Sequence, residues 1–295
     1  MRDITEIERK IISSHKQLAE LDARRSALLE RIKQLQQEKD LFDEASNSSS
    51  LRFHEIAETY HRILNPFTED QLMLLGEICH LNPSSKLLDL ACGKGELLCR
   101  WAQKYGIHGT GVDISSVFLE SAKNRANELS VSDNLTFIQD DAGNYSPAAH
   151  VYDIVSCIGA TWIGNGLKGT IELMKPAVTP NGLLLIGEPY WIDPPPESAY
   201  EALGVKPNDY ATLDITLDRL ESSGLKLVEM VLANHYGWDR YEAPRWMAID
   251  DFLRNNPNDP DASALNEWIS NNRRAYLKYG RRYLGWGVFV LRLAN

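Results

Sequence analysis

From Lys86 onward, short apolar runs alternate with stretches of helical period, and this constrains the fold more than any other feature. Lys86–Ala91, His108–Ile114, Leu135–Gln139, Val151–Ile158 and Gly182–Glu188 read as strands. Helices are expected from Gly95, between the second and third strands, and near 167–178. Two more, at about 51–64 and 68–80 and split by Asn65-Pro66, precede the first strand. Strands joined through helices run parallel and take helices on both faces. Leu225–Ala233 and Val288–Leu293 complete an expected α/β fold, doubly wound around a mostly parallel seven-stranded sheet. The stretch 234–287 between them is rich in Trp, Tyr, Arg and Pro. An insertion of about 50 residues usually carries function.

The first 45 residues are of another kind. They hold no Gly or Pro, and apolar residues recur every seven positions. Ile4, Ile11, Leu18 and Ile32 share one heptad position; Ile7, Leu21, Leu28 and Leu35 share the other. That spacing predicts a coiled-coil helix over 1–45 with one apolar seam, interrupted by Ser14, Arg25 and Lys39. No turn can fold the stretch back on itself, so its partner is a second chain, most simply in a homodimer, or the surface of its own domain. Residues 46–50 read as a flexible polar linker, and 51–295 as the α/β domain.

A formal net charge of -10 repels phosphate backbones and anionic lipid, which argues against nucleic-acid and membrane partners. No apolar run approaches the roughly 20 residues of a spanning helix, and no signal-peptide core is present. The four cysteines, Cys79, Cys92, Cys99 and Cys157, form no C-x-x-C pair and sit among apolar neighbours. They read as free thiols of a cytoplasmic protein.

The chemistry starts at Leu88-Asp89-Leu90-Ala91-Cys92-Gly93-Lys94-Gly95, where a strand turns into a helix through two glycines. A dinucleotide site needs a third glycine, at the position of Leu98, and a phosphate on the helix terminus, where Glu96 stands. A cationic, phosphate-free ligand suits this loop better. The segment resembles the first motif of the class I (Rossmann-like) S-adenosylmethionine-dependent methyltransferases, and the resemblance spans about 52–295. It implies cofactor contacts from Asp89, Ala91, Gly93 and Gly95, with S-adenosylhomocysteine as product. Ala91 replaces the usual first glycine, and a position needing positive φ would be strained there. Lys94 adds charge at the pocket rim. Asp113, about 20 residues on at the end of the second strand, is placed to accept from both ribose hydroxyls. The resemblance further puts Ile114 against adenine, Asp141 (or Asp140) at the adenine amino group, Ala142 as a backbone donor and Ile158 beside the cofactor.

Ligands of open parallel sheets sit beyond the carboxyl ends of the strands. Thr161-Trp162 after the fourth strand and Glu188-Pro189-Tyr190-Trp191 after the fifth therefore face the methyl group. Glu188 is the candidate base or cation partner, with Tyr190 and Trp191 as catalytic-cavity walls. Trp162, Trp238, Tyr241 and Trp246 are candidate substrate contacts, the last three as a lid. His54 and His61, seven apart on the leading helix, are candidates on one face. These segments resemble a poorly characterised bacterial branch grouped with small-molecule methyltransferases. Asn65-Pro66-Phe67 has one proline and precedes the sheet, unlike the N-P-P-Y loop it is similar to. Asp193-Pro194-Pro195-Pro196 reads as a stiff turn. His54-Glu55-Ile56-Ala57-Glu58 lacks the second histidine of H-E-x-x-H, so no metal is expected.

The expected function is methyl transfer from S-adenosylmethionine to an N or O nucleophile of a small molecule. The alternative is a non-catalytic scaffold or sensor that binds the cofactor and acts through its coiled coil.

Overall fold

The computed structural model describes residues 4–294, and the side chains at 4–6, 19, 20, 23, 27 and 37–48 lie outside the description. The expected seam contributions of Ile4 and Lys39 fall among these. The chain divides into two units, the second starting at His54.

The first unit is helix α1 (Ile4–Ala57), whose last turn belongs to the second unit. The flexible linker expected at 46–50 is helix, which corrects that expectation. Serine and asparagine cost only a few tenths of a kcal/mol each in a helix, up to about 0.7. No Gly or Pro occurs before Pro66 to end it. Seam residues Ile7, Ile11, Leu18, Leu21, Leu28, Ile32 and Leu35 are all exposed.

In the second unit the leading helix stops at Ala57, not near 64, and a 3-10 turn spans Glu58–Tyr60. Helix α2 (Glu69–Ile78) follows, started by a capping box in which Thr68 and Gln71 bond reciprocally. The sheet comprises β1 (Lys86–Leu90), β2 (His108–Asp113), β3 (Leu135–Gln139), β4 (Tyr152–Ile158), β5 (Val178–Trp191), β6 (Leu225–Leu232) and β7 (Leu284–Leu293). Their order is β3-β2-β1-β4-β5-β7-β6, parallel from β3 to β5, with β7 antiparallel to both neighbours. Strand β5 outruns its expected end at Glu188 because β7 pairs with it as far as Trp191↔Leu284.

Period-2 alternation divides the core between the two faces. Leu87, Ile154, Leu185, Val288 and Val290 join one cluster with Leu72 and Leu75 of α2 and Leu98 and Trp101 of α3 (Glu96–Tyr105). Leu88, Val155, Leu184, Phe289 and Leu291 join the other. It includes Ile171 and Met174 of α5 (Leu167–Met174) and Leu220 of α7 (Leu213–Ser222). Helix α4 (Ser116–Glu128) follows β2, and α6 (Glu197–Leu203) follows β5. The insertion between β6 and β7 is mostly helical, with α8 (His235–Asn255) and α9 (Ala262–Ala275). Among the described residues no helix is long and apolar enough to cross a membrane.

Candidate active site

The carboxyl end of β1 opens into a loop that visits the left-handed region three times, at Ala91 (φ 58°), Gly93 (φ 54°) and Gly95 (φ 66°). Glycine does so freely, whereas an alanine carries about 1–2 kcal/mol of strain. The substitution at Ala91 therefore keeps the glycine geometry and bears its cost. The turn is held from β2: the Cys92 amide donates to the Val112 carbonyl at 3.0 Å, and the Gly93 amide to Asp113 Oδ2 at 2.7 Å. Asp113 Oδ1 accepts from the Ser115 amide at 2.9 Å. The cap of α4 is Ser115, whose Oγ accepts from the Phe118 amide, so Asp113 is not spent as a cap. Burial pushes its carboxyl up, against the pull of backbone amides from Ser115, Gly93 and Ile114. Each oxygen retains a lone pair for a hydroxyl donor.

Beneath the loop, Asp89 accepts from Ser156 Oγ at 2.6 Å, and burial pushes its carboxyl up to about 7. Glu96 is taken by a bidentate pair with Arg125, at 2.8 and 2.9 Å. Lys94, expected as charge on the rim, is committed elsewhere. Its ammonium donates to the carbonyls of Glu58 (2.7 Å) and His61 (2.9 Å), fastening the 3-10 turn to the glycine loop.

Of the residues expected near adenine, Ile114 is exposed, Ala142 buried and Ile158 half-buried at the end of β4. Asp141 closes its own turn, accepting from the Gly143 amide at 2.9 Å and Asn144 Nδ2 at 2.7 Å. Asp140 accepts from the Asp141 amide at 2.8 Å.

The leading segment meets the insertion in a buried ionic cluster. Glu58, fully buried, lies 2.9 Å from His61 Nδ1 and 3.2 Å from Arg245 Nε, and Arg245 pairs with Glu242 at 3.2 Å. Burial alone would raise the Glu58 carboxyl, but His61 and Arg245 bring it below its ordinary value. His61 Nε2 lies 3.3 Å from the Arg240 carbonyl oxygen. That carbonyl would normally accept from the amide four residues on, but residue 244 is a proline inside α8 and has none. The His61 ring supplies the missing donor. Both ring nitrogens of His61, a candidate substrate contact, thus face protein partners. His54 is not on a common helical face with it. Its ring sits edge-on to Phe118 at 5.5 Å, with Nδ1 3.7 Å from Glu58.

The aromatic lid expected of the insertion is packed instead. Trp238 joins the main core beside Tyr276, with Tyr241 and Trp246 half-buried against that cluster. Tyr241 lies under the Arg245 guanidinium, 5.2 Å from its ring centre, and Trp246 Nε1 donates to Asn272 Oδ1 on α9 at 3.4 Å. Of the polar residues in the stretch, Glu242 and Arg245 are buried in the ionic cluster and Arg240 is exposed. Glu58, Glu242 and Arg245 escaped sequence reasoning; Pro244 amid a helical pattern was the available signal that something must serve Arg240.

At the ends of β4 and β5, Glu188 is 4% exposed and accepts from Thr161 Oγ1 at 2.6 Å. Burial pushes its carboxyl up to about 7, against that hydrogen bond. Tyr190 is buried flat over Gly285, where a Cβ would collide with its ring, so it is a packing residue of the β5–β7 pair. Trp191 is buried edge-on to Tyr200 and Tyr210, at 5.6 and 5.8 Å, and its Nε1 has no hydrogen-bond partner among the described residues. Trp162 is 71% exposed on the turn after β4. Thr161 stood in a segment already singled out; nothing in the sequence pointed to Tyr210.

Residues 87–182 match the family described as methyltransferase domain. The chain is 43% identical over 242 residues to the Escherichia coli K12 protein described as uncharacterized protein YjhP, covering 81% of this chain and 97% of that one. Two solved structures of SAM-dependent methyltransferases, both in complex with S-adenosyl-L-homocysteine, are similar throughout. That from Geobacter sulfurreducens shares 43% identity, covers 82% of this chain and 98% of its own, and superposes with a TM-score of 0.79. That from Thiobacillus denitrificans shares 40%, with 81% and 96% covered and a TM-score of 0.77.

Proposed function

Because the chain belongs to the class I S-adenosylmethionine-dependent methyltransferases, we propose that it methylates a small molecule on nitrogen or oxygen. When bound, S-adenosylmethionine supplies an activated methyl group on a sulfonium. The donor set fits such a ligand. The loop takes left-handed backbone at Ala91, Gly93 and Gly95, the Asp113 carboxylate is held rigid with spare lone pairs, and the loop's cation, Lys94, is held by the carbonyls of Glu58 and His61. Asp113 would hold the ribose, with Asp89 and the glycine loop toward the amino-acid end and Ile114 and Ile158 against the ring system. Positioning the acceptor and stripping it of water then fall to the ends of β4 and β5.

The bond from the Gly93 amide to Asp113 carries this reading, because it locks the acceptor and the glycine loop into one rigid turn. Calorimetric titration with S-adenosylmethionine and S-adenosylhomocysteine tests it. Asp113→Ala is expected to weaken both by about 1–3 kcal/mol. Unchanged affinity refutes the assignment. The exposed seam of α1 supports a further element of the proposal, self-association through a homotypic coiled coil. The free cysteines fit a reducing cytoplasm.

A further inference from the structure

Glu188 is a buried carboxylate with no ion-pair partner among the described residues. Its one hydrogen-bond donor among the described residues is the neutral hydroxyl of Thr161, at 2.6 Å. Arg219 on α7 and Asp209 act on it only through space and with opposite sign, and Tyr210 senses its charge. An uncompensated buried carboxylate is costly, so its place in a fold calls for a visiting partner. A second group there is equally unfinished: the indole N–H of Trp191, 4% exposed, has no acceptor, and its ring abuts Tyr210. Both residues stand at the carboxyl end of β5, whose neighbour β4 leads to β1 and the glycine loop.

We propose that the acceptor is a small primary or secondary amine, recognised as its ammonium by Glu188 among the rings of Tyr210 and Trp191. The inference rests on the methyltransferase reading above. A buried carboxylate near aromatic rings favours ammonium over phenol, alcohol or carboxylate ligands. The ammonium hands one proton to Glu188, which burial prepares to hold it near neutrality. The freed nitrogen lone pair forms the new N–C bond to the methyl carbon. The C–S bond breaks with its electron pair left on sulfur, giving the neutral thioether. The product is again an ammonium, and Glu188 releases its proton to solvent. The unpaired Trp191 N–H favours amines that also carry an oxygen acceptor.

The test uses the full chain saturated with S-adenosylhomocysteine and a panel of small amines, amino alcohols and amino amides, each matched to an amine-free alcohol or phenol. Thermal shift reads binding, and S-adenosylhomocysteine release from S-adenosylmethionine reads turnover. At least one amine is expected to raise the melting temperature of the wild type and not of Glu188→Gln, with its matched alcohol inert. For that amine kcat/KM falls about 100-fold in Glu188→Gln, while S-adenosylhomocysteine still binds the variant. A rising limb of kcat/KM through about pH 7 disappears in the variant. If no amine binds in a Glu188-dependent way, or phenols or alcohols are the acceptors, the amine proposal is overturned. Failure of the wild type to bind S-adenosylhomocysteine would instead overturn the methyltransferase reading beneath it.

Discussion

If the His61 ring replaces the amide that Pro244 lacks, deleting the ring must cost less once that amide is restored. His61→Ala removes two things: the bond to the Arg240 carbonyl at 3.3 Å, and a partner 2.9 Å from the buried Glu58 carboxylate. The first is worth about 1 kcal/mol and the second about 1.5–3 kcal/mol, giving a loss of roughly 2–4 kcal/mol. Pro244→Ala supplies an N–H in register with Arg240. Helix-interior proline costs about 3 kcal/mol relative to alanine, less about 1 kcal/mol for the greater freedom of the unfolded chain. The variant is therefore stabilised by about 1–2 kcal/mol. In its background the carbonyl is satisfied without His61, while the Glu58 loss is unchanged. The cycle isolates a coupling of about 1 kcal/mol, above the 0.3–0.5 kcal/mol scatter of independent sites. Urea unfolding followed by tryptophan fluorescence measures it in the domain alone, since all seven tryptophans lie at or beyond Trp101. Additive free energies would refute the substitution of ring for amide.

Three other outcomes follow from local geometry. Ala91→Gly relieves a left-handed alanine worth about 1–2 kcal/mol and gives back about 0.4–1 kcal/mol of unfolded-chain entropy. A net gain of about 0.5–1 kcal/mol is expected in chemical denaturation, and a loss would mean that the loop does not hold φ 58° in solution. Asp89 titrates near 3.8 when free and about 7 when folded, so the native state binds its proton more tightly. Stability from this group is complete below about pH 4 and falls away through about pH 7. Asp89→Asn should flatten that decline in a pH series of melting temperatures; an unchanged slope assigns it to other groups. Arg25→Leu fills a polar seam position on α1 and should strengthen self-association in sedimentation velocity. Monomer for both proteins excludes the homotypic coil.

Alternation, periodicity and glycine placement are local signals, and they located every strand of the sheet to within a few residues. β1, with Leu87 facing one core cluster and Leu88 the other, could be read because burial on both faces leaves a continuous apolar run. What local signals miss is competition for side chains. Lys94 looks like a free charge in sequence, yet three carbonyl groups of a distant turn hold it. Trp238 and Tyr241 look like a lid because polar residues interleave them. Helix α8 instead buries Trp238 in the core and pairs the interleaved Glu242 and Arg245 in a buried ionic cluster. The end of the leading helix at Ala57 was equally hidden, since nothing in Glu58-Thr59-Tyr60 forbids another helical turn and the tertiary partners of Glu58 decide the matter.

One short turn, Glu58 to His61, is thus fastened to the cofactor loop by Lys94 and to α8 by Arg245 and His61. Fastenings of this kind have no preferred direction. Whatever stiffens α8 also lowers the free energy of the ordered glycine loop, and the reverse holds by the same factor. Ordering of the glycine loop is therefore felt in the insertion, and loosening of the insertion in the loop.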